Sequence, residues 1–332
     1  MTFYTKMDTQ KLPQRPRLLP WTRTVSSPGR VLCYCSNRLV KFEGKACDSL
    51  LPELLALLDG NRSRSDIVGS FPEEHRTSAE EAMVRLNDHR LLLDGPAEDR
   101  NGATHGGLHF ICLPERANPN DVSARLKGAT VDVYGASGVA ARMMEQLGEL
   151  GIGRVLFHEE LGDAAARERP SLAVVAPAAH QIGALPAWNR GAVAAQVPWL
   201  FASADFGTQG FAGPLFLPPE TGCYECFARR RQSHSFLKDN FDNLDGGLRA
   251  GDAPFFFIDL LAGLATSLSA RWLVSSDPII PGRCQVIDAG RICEVSTHLL
   301  YKVPRCTVCS AATSISPVAP WGIKAKAEEP RR

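Results

Sequence analysis

Two Cys-x-x-Cys pairs stand in this chain, Cys223-Tyr-Glu-Cys226 and Cys306-Thr-Val-Cys309, with 79 residues between them. Either pair alone reads as a redox dithiol or as half of a metal site. Together, four thiolates in two knuckles match the tetrahedral shell of zinc, and a shell of four sulfurs leaves no position for water or substrate. The predicted Zn2+ site is therefore structural. The separation is too long for a compact zinc ribbon, so the metal is expected to staple two distant segments of a larger fold. A redox pair usually sits near the start of a βαβ unit. Cys223 instead follows a strand-like segment, GPLFLPPETG. The remaining cysteines (Cys33, Cys35, Cys47, Cys112, Cys284 and Cys293) show no ligand spacing and read as small core residues.

The chain has 332 residues, enough for two or three domains. A net charge of +1 argues against a broad nucleic-acid surface. No apolar run reaches the 18 to 20 residues (roughly) of a membrane span, and the N-terminus has no apolar signal core. With ten cysteines and no secreted-type framework, a cytoplasmic protein without membrane or nucleic-acid partners is expected.

Residues 1–17 are polar and Pro-rich and read as a flexible arm. Residues 18–96 read as a first domain. VLCYC (31–35) and RLVKF (38–42) alternate as strands about a turn at Ser36-Asn37. CDSLLPELLALLDG and SRSDIVGSF read as helices, the second capped by Ser63 or Ser65. TSAEEAMVRLNDHRLL reads as a third helix, with capping-box frames at Thr77-x-x-Glu80 and Ser78-x-x-Glu81. Ala79, Met83, Leu86 and Arg90 are expected to share one of its faces. Strands followed by three helices within about 80 residues outline a small winged-helix domain. Residues 97–107 are a polar linker, 108–315 a second, α/β domain, and 316–332 a charged, disordered tail.

The second domain opens on its most organised stretch. VDVYG is a strand, Gly135-Ala-Ser-Gly138 a sharp turn, Val139 to Leu150 a helix, and RVLFHEE a further strand. This is a βαβ unit and predicts a parallel sheet of Rossmann type. PSLAVVAP and VPWLFASAD add buried strands, and residues 255–274 a long buried helix. The turn keeps only two glycines of a dinucleotide fingerprint, with alanine in the third place. Gly135 and Gly138 are therefore read as a vestigial nucleotide turn, and ATP binding in this chain is not expected.

The glycine turn, the helix ending in GIGRV and the two distant Cys-x-x-Cys pairs resemble the ThiF/MoeB-like adenylating fold over residues 108 to 315. The family places a magnesium-binding Asp after the fourth strand, but the matching stretch here, LAVVAPAAHQ, has none. LGDAAARERP likewise lacks the family's Asn-Leu-Arg-Gln run. The first domain, with GRVLCYCSNRLVKFEG and LLALLDGNRSRSDIV, resembles the PqqD-like recognition element of peptide-modifying enzymes. The combination resembles the ThiF-like (ocin-ThiF type) leader-binding partner of a YcaO cyclodehydratase, from azoline and thiopeptide-type pathways. This resemblance implies a chain that binds the leader of a ribosomal precursor peptide and presents its core to a YcaO enzyme acting in trans. That enzyme uses ATP to cyclise Cys, Ser or Thr. The resemblance also implies no catalytic residues of the chain's own and allows a homodimer. The alternative it leaves open is an ATP-dependent enzyme that adenylates a peptide carboxylate.

In such elements the leader adds as a strand, taking affinity from main-chain hydrogen bonds and specificity from alternating side chains. RLVKF is the expected edge. Arg38, Val40 and Phe42 lie on one face, and Leu39 and Lys41 on the other. Met83, Leu86 and Arg90 of the third helix are the expected facing wall. Arg38, Lys41 and Arg90 would meet an acidic leader.

Overall fold

The computed structural model describes residues 12–19, 21–35, 38–95, 119–162, 170–206, 208–234, 253–291 and 293–310. The expected Ser36-Asn37 turn, the 97–107 linker, Cys112 and the 316–332 tail lie outside them. The chain divides into two units, Met1–Arg125 and Leu126–Arg332. The division falls inside the helix Pro119–Gly128, here α4.

The first unit grows from one alternating strand. In β3 (Arg30–Cys35), Val31, Cys33 and Cys35 are buried while Arg30 and Tyr34 are exposed. This period of two gives the strand a single core face. β3 pairs antiparallel on one side with β2 (Arg23–Ser27) and on the other with β4 (Arg38–Glu43). The three strands form a sheet in the order β2-β3-β4, so β4 is an edge. On its core face lie α1 (Leu50–Leu57), α2 (Arg64–Gly69) and α3 (Glu73–Asp88). Leu50, Leu51 and Leu54 of α1, Ile67 of α2, and Ala79, Met83 and Leu86 of α3 join the core of β3. Ser63 caps α2 in a full capping box with Asp66.

Three local expectations are corrected. α3 does not start at the Thr77 or Ser78 frames. It starts at Glu73, behind Pro72, with Glu73 and Glu74 in a first turn that favours acids. It also stops before Arg90, which takes a left-handed φ of 57° and lets Leu91 N–H bond back to Leu86 O at 2.9 Å. Arg90 therefore leaves the face of Met83 and Leu86. Finally, part of the expected N-terminal arm is tied down. β1 (Pro16–Leu18) pairs antiparallel with β5 (Leu92–Asp94), and Gln14 O accepts a bond from Arg64 N–H.

The second unit is the predicted α/β architecture, with a seven-stranded mixed sheet in the order β12-β11-β10-β9-β8-β6-β7. β6 (Thr130–Tyr134), β7 (Arg154–His158), β8 (Leu172–Val175) and β9 (Trp199–Phe206) run parallel. β8 is buried along its whole length, as expected for a strand covered on both faces. β10 (Gln209–Phe216), β11 (Arg283–Asp288) and β12 (Glu294–Leu299) extend the sheet in antiparallel fashion. Helix α5 (Gly138–Glu149) is the βαβ crossover, and α6 (Leu185–Ala195) follows β8. The 21-residue helix α8 (Phe255–Ser275) packs on α5, β9 and β10. Contrary to the expectation that no run reaches that length, it is long and apolar enough to cross a membrane; Phe257, Leu261, Ala262 and Ala265 are instead buried in this unit.

The glycine turn after β6 has a packing explanation. Gly135 has φ of 123°, and a Cβ there would lie 2.0 Å from Ala176 O. A Cβ at Gly138 would meet Ile258 Cδ1 of α8 at 2.9 Å. One backbone N–H of the turn and one at the start of α5 are already engaged. Ala136 N–H donates to Gln181 Oε1 at 2.8 Å, and Ala140 N–H to the Ser137 hydroxyl at 3.2 Å. Gln181, nearly buried, also accepts from Ala178 N–H at 3.0 Å and donates to Glu159 O at 2.7 Å. One side chain thus ties together the segments that follow β6, β7 and β8. Gln181→Leu should destabilise the chain by about 2 kcal/mol, since it removes three partly shielded hydrogen bonds. Urea unfolding should show a lower midpoint at unchanged slope; an unchanged midpoint would contradict this role.

Candidate functional site

The four predicted ligands converge. Cys223 precedes α7 (Tyr224–His234), Cys226 lies in its first turn, and Cys306 and Cys309 lie in the turns after β12. Their sulfurs all fall within 4.8 Å of one another. Cys223 Sγ is 3.7 Å from Cys306 Sγ, and Cys226 Sγ is 3.5 Å from Cys309 Sγ. A disulfide needs about 2.05 Å, whereas zinc at about 2.3 Å from four sulfurs sets them about 3.8 Å apart. The spacing fits the metal, and the four cysteines can hold a zinc ion. Cys223, Cys226 and Cys306 are buried, which suits a closed structural shell.

Surrounding groups fix these thiols. Val303 N–H donates to Cys226 Sγ at 3.3 Å. The Cys226 thiol is held below its ordinary value, first by its hydrogen bond with Cys223 and, against burial, by the Val303 N–H. Cys223 moves the other way, through that same bond and through burial. Burial, followed by the contact with Cys226, pushes Cys309 up to about 11. Asn189, buried on α6, accepts from Tyr224 N–H at 2.9 Å and holds the start of α7. Behind the sulfurs lies a run of aromatic contacts: Trp188, Trp199, Phe216, Tyr224, Phe201 and Phe227.

Three consecutive arginines on α7 brace the same region in different ways. Arg229 is exposed and pairs with Glu225 at 2.6 Å. Arg230 donates to Tyr301 O at 2.9 Å and to Lys302 O at 3.4 Å, holding the strand exit that leads to the second cysteine pair. Arg231 lies over the rings of Phe211 and Phe227, at 5.3 and 5.8 Å.

The expected peptide edge separates into an open strand and a closed wall. Register with β3 places Val40 opposite Cys33 and Phe42 opposite Val31, on the core face, where both are half-buried. Arg38 lies opposite Cys35 in the same register. Leu39, 60% exposed, and Lys41 face away from the core. Lys41 pairs with Glu43 at 2.8 Å, as Arg30 does at 3.3 Å, so its charge is largely matched. Met83 and Leu86, expected as the facing wall, are fully buried in the unit's own core. The side chain that meets β4 there is instead His89, the C-cap of α3, whose ring lies edge-on to Phe42 with centroids 5.7 Å apart. His89 was not singled out from sequence. Its signal was its place one turn after Arg85 on the flank of α3 beyond the Met83 and Leu86 stripe.

No family model matches the chain, and no curated protein matches it. Solved structures do. The heterocyclase TruD matches with a TM-score of 0.70 and 22% identity, over 90% of this chain and 43% of that one. A heterocyclase in complex with substrate and cofactor matches with a TM-score of 0.69 and 21% identity, over 89% and 39%. E. coli MccB matches with a TM-score of 0.63 and 16% identity, over 90% and 97%. The chain thus spans less than half of the heterocyclases and nearly all of MccB. At these identities the likeness establishes a shared fold.

Replacing Cys223 or Cys309 by serine opens the sulfur shell. Metal analysis of the purified chain should give close to one zinc per wild-type chain and close to none in either variant. The melting temperature should fall by roughly 10 °C, as expected for a loss of about 3 to 4 kcal/mol from a unit of this size. Wild-type protein with no bound metal after zinc-supplemented expression would contradict the assignment.

Proposed function

We propose that this chain binds the leader of a ribosomally synthesised precursor peptide and delivers its core to a separate YcaO cyclodehydratase, which forms azoline rings from Cys, Ser or Thr. The first unit is the PqqD-like recognition element. The second is a ThiF-like carrier braced by structural zinc, and it performs no catalysis. The observation that carries this reading is the open edge of β4. Among the described residues no strand pairs with its outer side, its Val40 and Phe42 are half-buried on the core face, and Phe42 meets His89 at the end of α3. Such an edge offers a row of main-chain donors and acceptors to an extended peptide. The likeness to heterocyclases supports the pathway class. In this reading, the ring-forming step belongs to the partner enzyme, to which the unmatched length of the heterocyclases corresponds.

One observation favours a second reading. MccB, matched over almost its whole length, is described as a Microcin C7 biosynthetic enzyme in complex with N-formylated MccA. A catalytic, adenylating chain would follow from that likeness. The Gln181 bonds weigh against it, because they occupy the turn N–H that would otherwise meet a phosphate. An ATP–pyrophosphate exchange assay with the chain and its peptide separates the two readings. No exchange above background is expected.

Strand addition has a backbone test. Neighbouring residues of an edge strand point their N–H groups alternately into the sheet and out of it. Of Leu39→Pro and Val40→Pro, the variant that retains the native far-UV spectrum and melting temperature should lose at least about tenfold in affinity for the labelled N-terminal segment of a precursor peptide encoded beside this gene. Undiminished binding by a folded variant would count against β4 as the docking edge.

A further inference from the structure

The geometry points to a carboxylate-reading pair, Arg85 and His89, on the flank of α3 beside β4. We infer that these two residues select leaders carrying an Asp or Glu side chain on the groove side of the added strand. The inference rests on the peptide-binding reading and names its specificity.

The orientation of α3 follows from its contacts. Ala79, Met83 and Leu86 are fully buried and mark the core side. The ring contact of His89 with Phe42 marks the flank nearest β4. At about 100° per residue, Arg85 lies roughly 40° around the helix from His89 and one turn before it. Residues four apart on a helix stand about 5 to 6 Å apart at their Cβ atoms, close enough to share one carboxylate. Both side chains are exposed. Glu81 and Asp88 are near Arg85 in sequence, yet no ion pair within 4.0 Å joins Arg85 to an acid among the described residues. Glu80 is taken by Arg64 at 3.1 Å.

The floor beside this pair is apolar. Val40, Phe42 and Ala82 are half-buried and pack on the core. An extended peptide laid along β4 sends every second side chain to this side. It would place an aliphatic or aromatic side chain over Val40 and Phe42 and, two residues away, a carboxylate toward Arg85 and His89. A guanidinium grips a carboxylate through two parallel hydrogen bonds, so it sets register as well as charge. Lys41 cannot take this part, because it faces the other side of the sheet and is paired with Glu43. A purely structural role is available to the same cations, since positive charge favours a helix C-terminus. The test must separate the two.

The full chain is immobilised and panned with a random twelve-residue peptide library displayed on phage. Wild type is expected to enrich peptides with Asp or Glu at one fixed place, two residues from an apolar one. Arg85→Glu, at an exposed position, should retain its melting temperature within a few degrees. It should lose that acidic preference about tenfold, the size expected for one charge-assisted contact, and enrich Lys or Arg at the same place instead. His89→Gln should weaken the preference without reversing it. The same acidic preference in Arg85→Glu would overturn the inference while leaving peptide binding at β4 intact. So would a drop in melting temperature with selection unchanged, which is the signature of a helix-dipole role. If wild type enriches no peptide, the binding reading and this inference fall together.

Discussion

The convergence of four thiols from two segments 83 residues apart is the constraint on which the second unit depends. It joins the start of α7 to the turns after β12, at the end of the sheet where the strands run antiparallel and the outermost one is nearly all exposed. An exposed edge of that kind has little burial to hold it. The closure comes instead from the cysteines, from Arg230 gripping the carbonyls of Tyr301 and Lys302, and from Lys302 reaching Pro219 O. The aromatic cluster behind the sulfurs then continues into the core of the sheet. A metal held by these four sulfurs would have a mechanical role, since a closed shell leaves no position for a substrate.

The crevice at the ends of the parallel strands makes the opposite case. In open α/β sheets this is where ligands usually sit. Here Gly135 is required by its positive φ and by the Ala176 carbonyl, Gly138 packs against the tip of Ile258, and Gln181 spends its amide on the surrounding backbone. A fold can thus keep the outline of a nucleotide site while its own side chain takes the contacts. With that crevice engaged internally, the open strand β4 becomes the more informative surface. The proposed peptide binding accordingly rests on the small unit.

What could be read in the sequence follows from how local each signal is. The βαβ unit was legible because its strands are continuous apolar runs, its helix is amphipathic and glycines mark both ends. The cysteine cluster was legible because metal geometry demands paired ligands at short spacing. β11 and β12 were not, since RCQVID and EVSTHL are short, mixed in polarity and paired only to each other and to β10. The β1–β5 pair joins residues almost eighty positions apart, and no local pattern announces it. The start of α3 was misplaced because two good capping frames lie inside a helix that Pro72 had already opened. Met83 and Leu86 were rightly seen as apolar positions on one stripe, but a stripe alone does not say whether its partner is core or peptide. Gln181 carries no pattern at all; only the folded chain reveals that three strand ends meet on it.

Peptide addition at β4 is tested most directly by amide hydrogen exchange of the full chain with and without the precursor peptide. Peptide docking on the open edge should slow exchange only in β4 and around the end of α3, residues 39–43 and 85–90, with the glycine turn at 135–138 unchanged. Protection at the turn without protection of β4 would contradict it, and would return the function to the nucleotide crevice.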